Sequence, residues 1–200
     1  MGSLLIILVF LGVVAVVVLW GVGIYNGLIT ARNAFRNAFA QIDVQLQRRF
    51  DLIPNLVETA RAYMSHERET LEAVTAARTA AQSGLAAAKA NPGDPEAMAT
   101  LAATQGQLNG VLGRLMMVAE AYPDLKANQN MMQLTEELTS TENRVAFARQ
   151  AYNDSVMAYN NKREVFPSSV IAGMFKFDAA ALLDIPADRA EVREAPKVQF

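Results

Sequence analysis

Apolar residues along this chain fall into one unbroken block followed by several periodic rows. From Leu4 to Tyr25 no position carries a charge, and nothing is more polar than the Tyr25 hydroxyl. Wound as an α-helix at ~1.5 Å per residue, the block is about 33 Å long, enough to cross a hydrocarbon core of roughly 30 Å. A cleaved signal peptide would instead need a basic leading region, a shorter run and a small-residue cleavage site. Here Met1-Gly2-Ser3 has no side-chain charge, and the block closes on Val22-Gly23-Ile24-Tyr25-Asn26. The pattern predicts a retained transmembrane anchor over residues 1–25. Leu4, Leu11 and Val18 would face lipid, and Trp20 and Tyr25 would mark its inner interface.

Past the anchor the period becomes helical. Phe35, Phe39, Ile42, Leu46, Phe50, Ile53, Val57, Ala60 and Met64 recur every three or four residues, which places them on one packing stripe. Pro54 interrupts the stripe, because its ring nitrogen cannot bond the carbonyl of Phe50 and it disfavours a helical Ile53. The stripe stays in phase across Pro54, as in a kinked continuation, whereas Asp51 could cap a new helix; both readings stand. Helical composition continues through Glu67, Glu69, Leu71, Val74 and Ala77 to about Lys89, where Asn91-Pro92-Gly93-Asp94-Pro95 stops it.

Asp94 as N-cap and Pro95 in the first turn open the next helix. Its apolar row is Met98, Leu101, Leu108, Leu112, Leu115, Ala119 and Tyr122, at heptad spacing with Gln105 as a polar intruder. A second row of small residues runs through Ala99, Ala103, Gly106, Gly110 and Gly113. Each mid-helix glycine costs about 1 kcal/mol relative to alanine, so the row predicts a close helix contact, within the bundle or between subunits. A last long helix, from about Ala127 to Val165, carries Leu134, Leu138, Thr141, Val145, Ala148, Tyr152, Ser155 and Tyr159 on one face. Phe166-Pro167 ends it. The rest, 167–200, has no sustained period, yet Ile171, Met174, Phe175, Phe177, Leu182, Leu183, Ile185, Val198 and Phe200 are too many large apolar groups for a free tail. It is expected to pack on the bundle or a neighbouring subunit. The fold class is therefore all-α: a single N-terminal transmembrane helix, an up-and-down bundle of about four long helical segments over 26–166, and an irregular C-terminal tail.

Composition narrows the chemistry. The 200 residues hold 18 Lys and Arg against 20 Asp and Glu, a net charge of −2, which leaves no basic field for nucleic-acid phosphates. With no cysteine there is no disulfide, thiolate metal site or cysteine nucleophile. The single histidine, His66, is followed by Glu67, but position 70 is Thr, so the two-histidine zinc motif is absent; His66 reads as a solvated residue on a polar helix face. No phosphate-cradling glycine loop or nucleophile elbow occurs. Paired carboxylates such as Glu136 and Glu137 are adjacent and point to different sides of a helix. No catalytic residue, cofactor or metal is expected. The positive charges of Arg32, Arg36, Arg48 and Arg49 just past the anchor predict a cytoplasmic bundle and an outside N-terminus.

Two polar clusters remain. Gln41, Asp43, Gln45, Arg48, Arg49, Asp51 and Asn55 lie in the first helical region, and Thr141, Glu142, Asn143 and Arg144 in the last. Buried together they would fix helix register through charge-assisted bonds; exposed, they would form a docking patch. The register reading is favoured.

These segments, Tyr25-Asn26-Gly27-Leu28, Gln41-Ile42-Asp43-Val44-Gln45-Leu46, Arg48-Arg49-Phe50-Asp51-Leu52-Ile53-Pro54-Asn55-Leu56-Val57, Glu120-Ala121-Tyr122-Pro123-Asp124-Leu125-Lys126-Ala127-Asn128, Thr141-Glu142-Asn143-Arg144, and Tyr152-Asn153 with Phe166-Pro167, occur in an order that resembles the LemA family of bacterial membrane proteins. The resemblance covers nearly the whole chain and fades after Phe177. It implies a bacterial inner-membrane anchor and a cytoplasmic bundle of about four helices, and it brings no reaction; some relatives are linked to building or remodelling membrane compartments. The expected function is a non-enzymatic, membrane-tethered scaffold that forms homo-oligomers through Gly106, Gly110, Gly113, Phe175 and Phe177 and organises or shapes the lipid bilayer. The alternative is an adaptor docking another membrane or envelope protein through Arg48, Arg49, Asp51, Asn55, Glu142, Asn143 and Arg144.

Overall fold

The computed structural model describes residues 2–185, and the tail positions Val198 and Phe200 lie outside them. Six helices occur among the described residues: α1 (Gly2–Arg61), α2 (Arg68–Ala90), α3 (Pro95–Ala119), α4 (Pro123–Lys126), α5 (Gln129–Glu164) and α6 (Ser168–Met174). The four long ones run up and down; α1 packs most extensively on α5, α2 lies against both α1 and α3, and α6 touches α1 and α5. The fold is all-α, with a long apolar N-terminal helix leading into the bundle.

The predicted stripe is the core of α1. Phe35, Phe39, Ile42, Leu46, Phe50, Ile53, Val57 and Ala60 are all buried, and Met64 beyond the helix is fully enclosed. Their ridge meets Leu138, Thr141, Val145, Tyr152, Val156 and Tyr159 of α5. Val156, and not the neighbouring Ser155, completes that row. Tyr152 stands edge-on to Phe35 and Phe39 (6.3 and 5.8 Å between centroids), and Phe35 tilts against Tyr159 at 5.2 Å. Such edge contacts set the rotation of one helix against the other more sharply than aliphatic packing does.

Helix ends follow their caps. The Asp94 side chain accepts from the Ala97 N–H, with Pro95 in the first turn, and Asn128 does the same for Met131. One boundary differs from the sequence expectation: helical composition does not carry through 62–67. The chain turns there, with Met64 N–H and Glu67 N–H closing on the carbonyls of Ala60 and Met64, and α2 starts anew at Arg68. His66 therefore sits in a turn, not on a helix face. The buried Met64 supplies the physical reason, because the reversal folds that side chain under the end of the bundle. The tail also departs from the expectation of irregularity, since 168–174 form α6.

Candidate functional site

α1 is a single helix of 60 residues, about 90 Å long at ~1.5 Å per residue. Its apolar window has no residue buried inside the protein, and Leu4, Leu11, Val18 and Trp20 are each more than half exposed. The helix is long and apolar enough to cross a membrane. It runs without a break past residue 25, past Gly27 and past Pro54, so the apolar spar and the bundle share one rigid element.

Pro54 is accommodated by a tertiary bond. Proline leaves the Phe50 carbonyl without its helical donor, and Arg78 of α2 fills the gap, with Nε donating to that oxygen at 2.7 Å. The open choice between kink and break is thereby decided for continuity. Further down the same interface Lys89 Nζ meets the largely buried Asp43 carboxylate at 2.6 Å.

The chain after α6 forms a strap along α5, and its backbone is read by side chains of that helix. Arg163 Nε donates to the Phe177 carbonyl at 2.7 Å, and the Tyr159 hydroxyl donates to the Asp178 carbonyl at 2.8 Å. The Asn160 amide takes both backbone groups of Ala180: its Nδ2 donates to the carbonyl at 2.9 Å and its Oδ1 accepts the N–H at 3.0 Å. Asn153 repeats the arrangement on Leu183, at 3.1 and 2.9 Å, and the Tyr152 hydroxyl donates to the Ala181 carbonyl at 2.8 Å. The spacing explains the double clamp. Seven helical residues rise about 10.5 Å and three extended ones about 10 Å, so a rigid α5 presents matching amides to every third strap residue. Ala181 N–H also reaches the Gly93 carbonyl at 2.8 Å, and Gly93 holds a positive φ of 93° in the loop before α3. Phe177, Ala180, Leu183 and Ile185 are buried beneath the strap. Burial in this apolar seam pushes the Tyr152 hydroxyl pKa well above its ordinary 10.0, and Tyr159 rises for the same reason.

At the spar–bundle junction Tyr25 is half-buried, edge-on to Phe175 at 4.9 Å and to Phe177 at 5.5 Å, whereas Trp20 is exposed. The Arg32 guanidinium lies over the Phe177 ring, 5.1 Å from its centroid. Phe177 is thus intramolecular packing, and Phe175 remains more than half exposed.

The polar clusters are divided. Arg49 and Thr141 are buried; Arg48, Asp51, Asn55, Glu142, Asn143 and Arg144 are exposed. Arg49 and Glu142 line one cavity of about 280 Å³ together with Asn109, Gly113, Thr135 and Thr139, where α1, α3 and α5 meet. Arg49 and Thr141 are thus the fully buried members of the two clusters, with Asp43 held by Lys89. Gly110 and Gly113 are exposed and Gly106 half-buried, and a Cβ on any of them would meet nothing within 4 Å. Among the described residues no helix packs into close contact on that row, although Gly113 borders the cavity shared with α1 and α5. The glycine at a close helix crossing is Gly84 of α2, where a Cβ would collide with Thr104 Oγ1 and lie 3.5 Å from the Leu101 Cα. Sequence reasoning missed Gly84, Arg78, Asn153, Asn160 and Arg163. The seven-residue interval between the two asparagines was the one available signal. Among the described residues, no group of three or more His, Asp and Glu side chains is placed to hold a metal.

An apolar spar continued as the central helix of an up-and-down bundle, with a strap clamped on its partner helix, defines an all-α protein of membrane-anchor design. Residues 38–200 match the LemA family model, and the chain belongs to the LemA family. It is 25% identical to Protein LemA of Metamycoplasma hominis over 86% of this chain and 77% of that one. It is equally 25% identical to magnetosome protein MamQ 2 of Paramagnetospirillum magneticum, covering 78% of this chain and 63% of the relative. Magnetosome protein MamQ of Magnetospirillum gryphiswaldense matches at 25% over 68% of this chain and 56% of its own length. The chain thus spans less than two thirds of these magnetosome relatives.

Proposed function

We propose that this protein is a membrane-anchored helical scaffold, without enzymatic activity, that self-associates and organises the bilayer it is tethered to. The observation that carries the reading is the continuity of α1: an apolar segment long enough to cross a bilayer and the core helix of the bundle form one rod, so any contact between bundles would fix the spacing and tilt of their anchors. The row of half-buried Gly106 and exposed Gly110 and Gly113, at which a Cβ would meet nothing within 4 Å among the described residues, supports a contact between copies, since small residues let helix backbones approach closely. Relatives named as magnetosome proteins support a place at a membrane. The arginines following the span favour a cytoplasmic bundle with the N-terminus outside, in a bacterial inner membrane.

Mass measurement in nanodiscs and detergent tests the self-association, with Gly110→Leu lowering oligomer mass while the fold persists. A monomer at every concentration rejects it. Protease digestion of spheroplasts tests the topology; loss of the bundle under external protease reverses the orientation.

One observation favours a second reading, an adaptor for another membrane protein. A groove of about 740 Å³ opens at the end of the bundle far from the span; Met116, Ala119, Met131 and Met132 form its apolar floor, and Glu120, Lys126, Glu136 and Asn143 its polar rim, with Met117 exposed beside it. Methionine-lined grooves accommodate apolar helices of varied shape. Capture of one stoichiometric foreign membrane protein, lost on Met132→Glu at the exposed methionine of the groove, would favour the adaptor over the scaffold.

A further inference from the structure

The short helix α6 has two dissimilar sides. Ser168 and Ala172, four residues apart, are buried against the bundle, and Ile171 is half-buried. The opposite side presents Val170 and Met174, also four apart, at 53% and 70% exposure. Phe166 immediately before the helix is 82% exposed, and Val165 and Phe175 on either side add more apolar surface. Nothing in the described chain covers these groups.

Their height along α1 identifies what does. A Cβ built on Gly21 lies 3.8 Å from Ile171 Cδ1, and Tyr25 packs edge-on to Phe175. Gly21 stands four residues inside the end of the apolar block, about 6 Å toward its centre. A helix that touches Gly21 is therefore at the depth of the bilayer boundary wherever α1 crosses it. Two exposed lysines lie near the patch, Lys162 at the end of α5, whose Nζ rests against Gly27 of α1, and Lys176 just after α6, with Glu164 and Asp178 the acidic neighbours. Lysines at such a border extend their ammonium groups to lipid phosphates while their stems lie on apolar surface.

We infer that α6, with Phe166 and Phe175, is a second membrane contact: an interfacial element that sinks its Val170 and Met174 side into the acyl–headgroup boundary of the leaflet α1 leaves by. The occupant is lipid, because the patch is continuous with the apolar surface of the span and lies at its depth. Two attachment points would fix the rotation of α1 about its axis, and the α5 strap would transmit that constraint to the bundle. The inference rests on α1 crossing the bilayer.

The chain lacks cysteine, so single labels need no background changes. Leu11→Cys, Val170→Cys, Met174→Cys and Phe147→Cys would each carry a nitroxide in the full chain. Phe147 is 73% exposed midway along α5 and serves as the aqueous reference. In vesicles of phosphatidylcholine with phosphatidylglycerol, power-saturation electron paramagnetic resonance reads collision with oxygen, which favours lipid, against a water-soluble nickel chelate. The expected order is deep for 11, shallow but oxygen-favouring for 170 and 174, and nickel-favouring for 147. Labels at 170 and 174 that match 147 while 11 remains deep overturn the inference and leave the span intact. Labels shielded from both reagents and broadened by a neighbouring spin assign the patch to a second copy and also overturn it. A nickel-accessible label at 11 removes the span and the inference together.

Discussion

Continuity of α1 through Pro54 is the premise on which mechanical coupling between anchor and bundle depends, and the Arg78 bond to the Phe50 carbonyl is what the structure offers for it. A hydrogen bond from a charged donor contributes about 1.5–3 kcal/mol, and the acceptor here is part-buried. Arg78→Met keeps the apolar stem but removes the donor, so the loss should be about 2 kcal/mol. For a domain of this size that corresponds to roughly 4–8 °C in Tm. Pro54→Ala restores a backbone N–H able to bond the same carbonyl, so in that background Arg78→Met should cost no more than about 0.5 kcal/mol. The difference between the two backgrounds is a coupling energy of about 1.5 kcal/mol, measurable as a double-mutant cycle by thermal unfolding in micelles followed by circular dichroism. Hydrogen exchange of the amides in 51–58 should rise in Arg78→Met alone. An equal cost of Arg78→Met in both backgrounds would refute the compensation, and α1 would then owe its continuity to packing alone.

Other outcomes follow from the strap and the glycines. Asn160→Ala removes two bonds to Ala180 and should cost about 2 kcal/mol, raising the opening of the strap roughly 30-fold, visible as faster exchange at Ala180 and earlier proteolysis there; unchanged protection would mean the burial of Phe177 and Leu183 suffices. Tyr152 holds its proton more tightly when folded, so the unfolded chain binds fewer protons above the ordinary value of 10.0, and stability is full below that pH and falls as pH climbs past it. Tyr152→Phe should lose about 1 kcal/mol at neutral pH and flatten the alkaline decline; an unaltered decline locates its source elsewhere. Two helical glycines should respond with opposite sign. Gly110→Ala, in open space, should stabilise the monomer by up to about 1 kcal/mol, whereas Gly84→Ala must displace Thr104, whose hydroxyl bonds Thr100 and Leu101, and should destabilise unless Thr104→Ala accompanies it. Melting curves of the three variants decide this, and a stabilised Gly84→Ala alone would contradict the close crossing.

Local chemistry in the sequence determined the periodic elements of this protein. The uncharged Leu4–Tyr25 block, the three-and-four spacing from Phe35 to Met64, and the Asp94-Pro95 cap each act through near neighbours, so each was readable without coordinates. Tertiary structure decided matters in which a residue's meaning depends on what faces it. Pro54 signals a break by itself and is tolerated because Arg78, 28 positions from the carbonyl it bonds, supplies a donor. Among the described residues Gly84 is the helical glycine that meets another helix's backbone, while a Cβ at Gly106, Gly110 or Gly113 would meet nothing within 4 Å. Asn153 and Asn160 become a clamp only once a strap some 20 to 30 residues further along arrives at the matching rise. The periodic elements could be read because their causes lie within a turn or two of helix; the rest could not, because hydrogen-bond partners distant in sequence are assigned only when the packed helices fix their distance and direction.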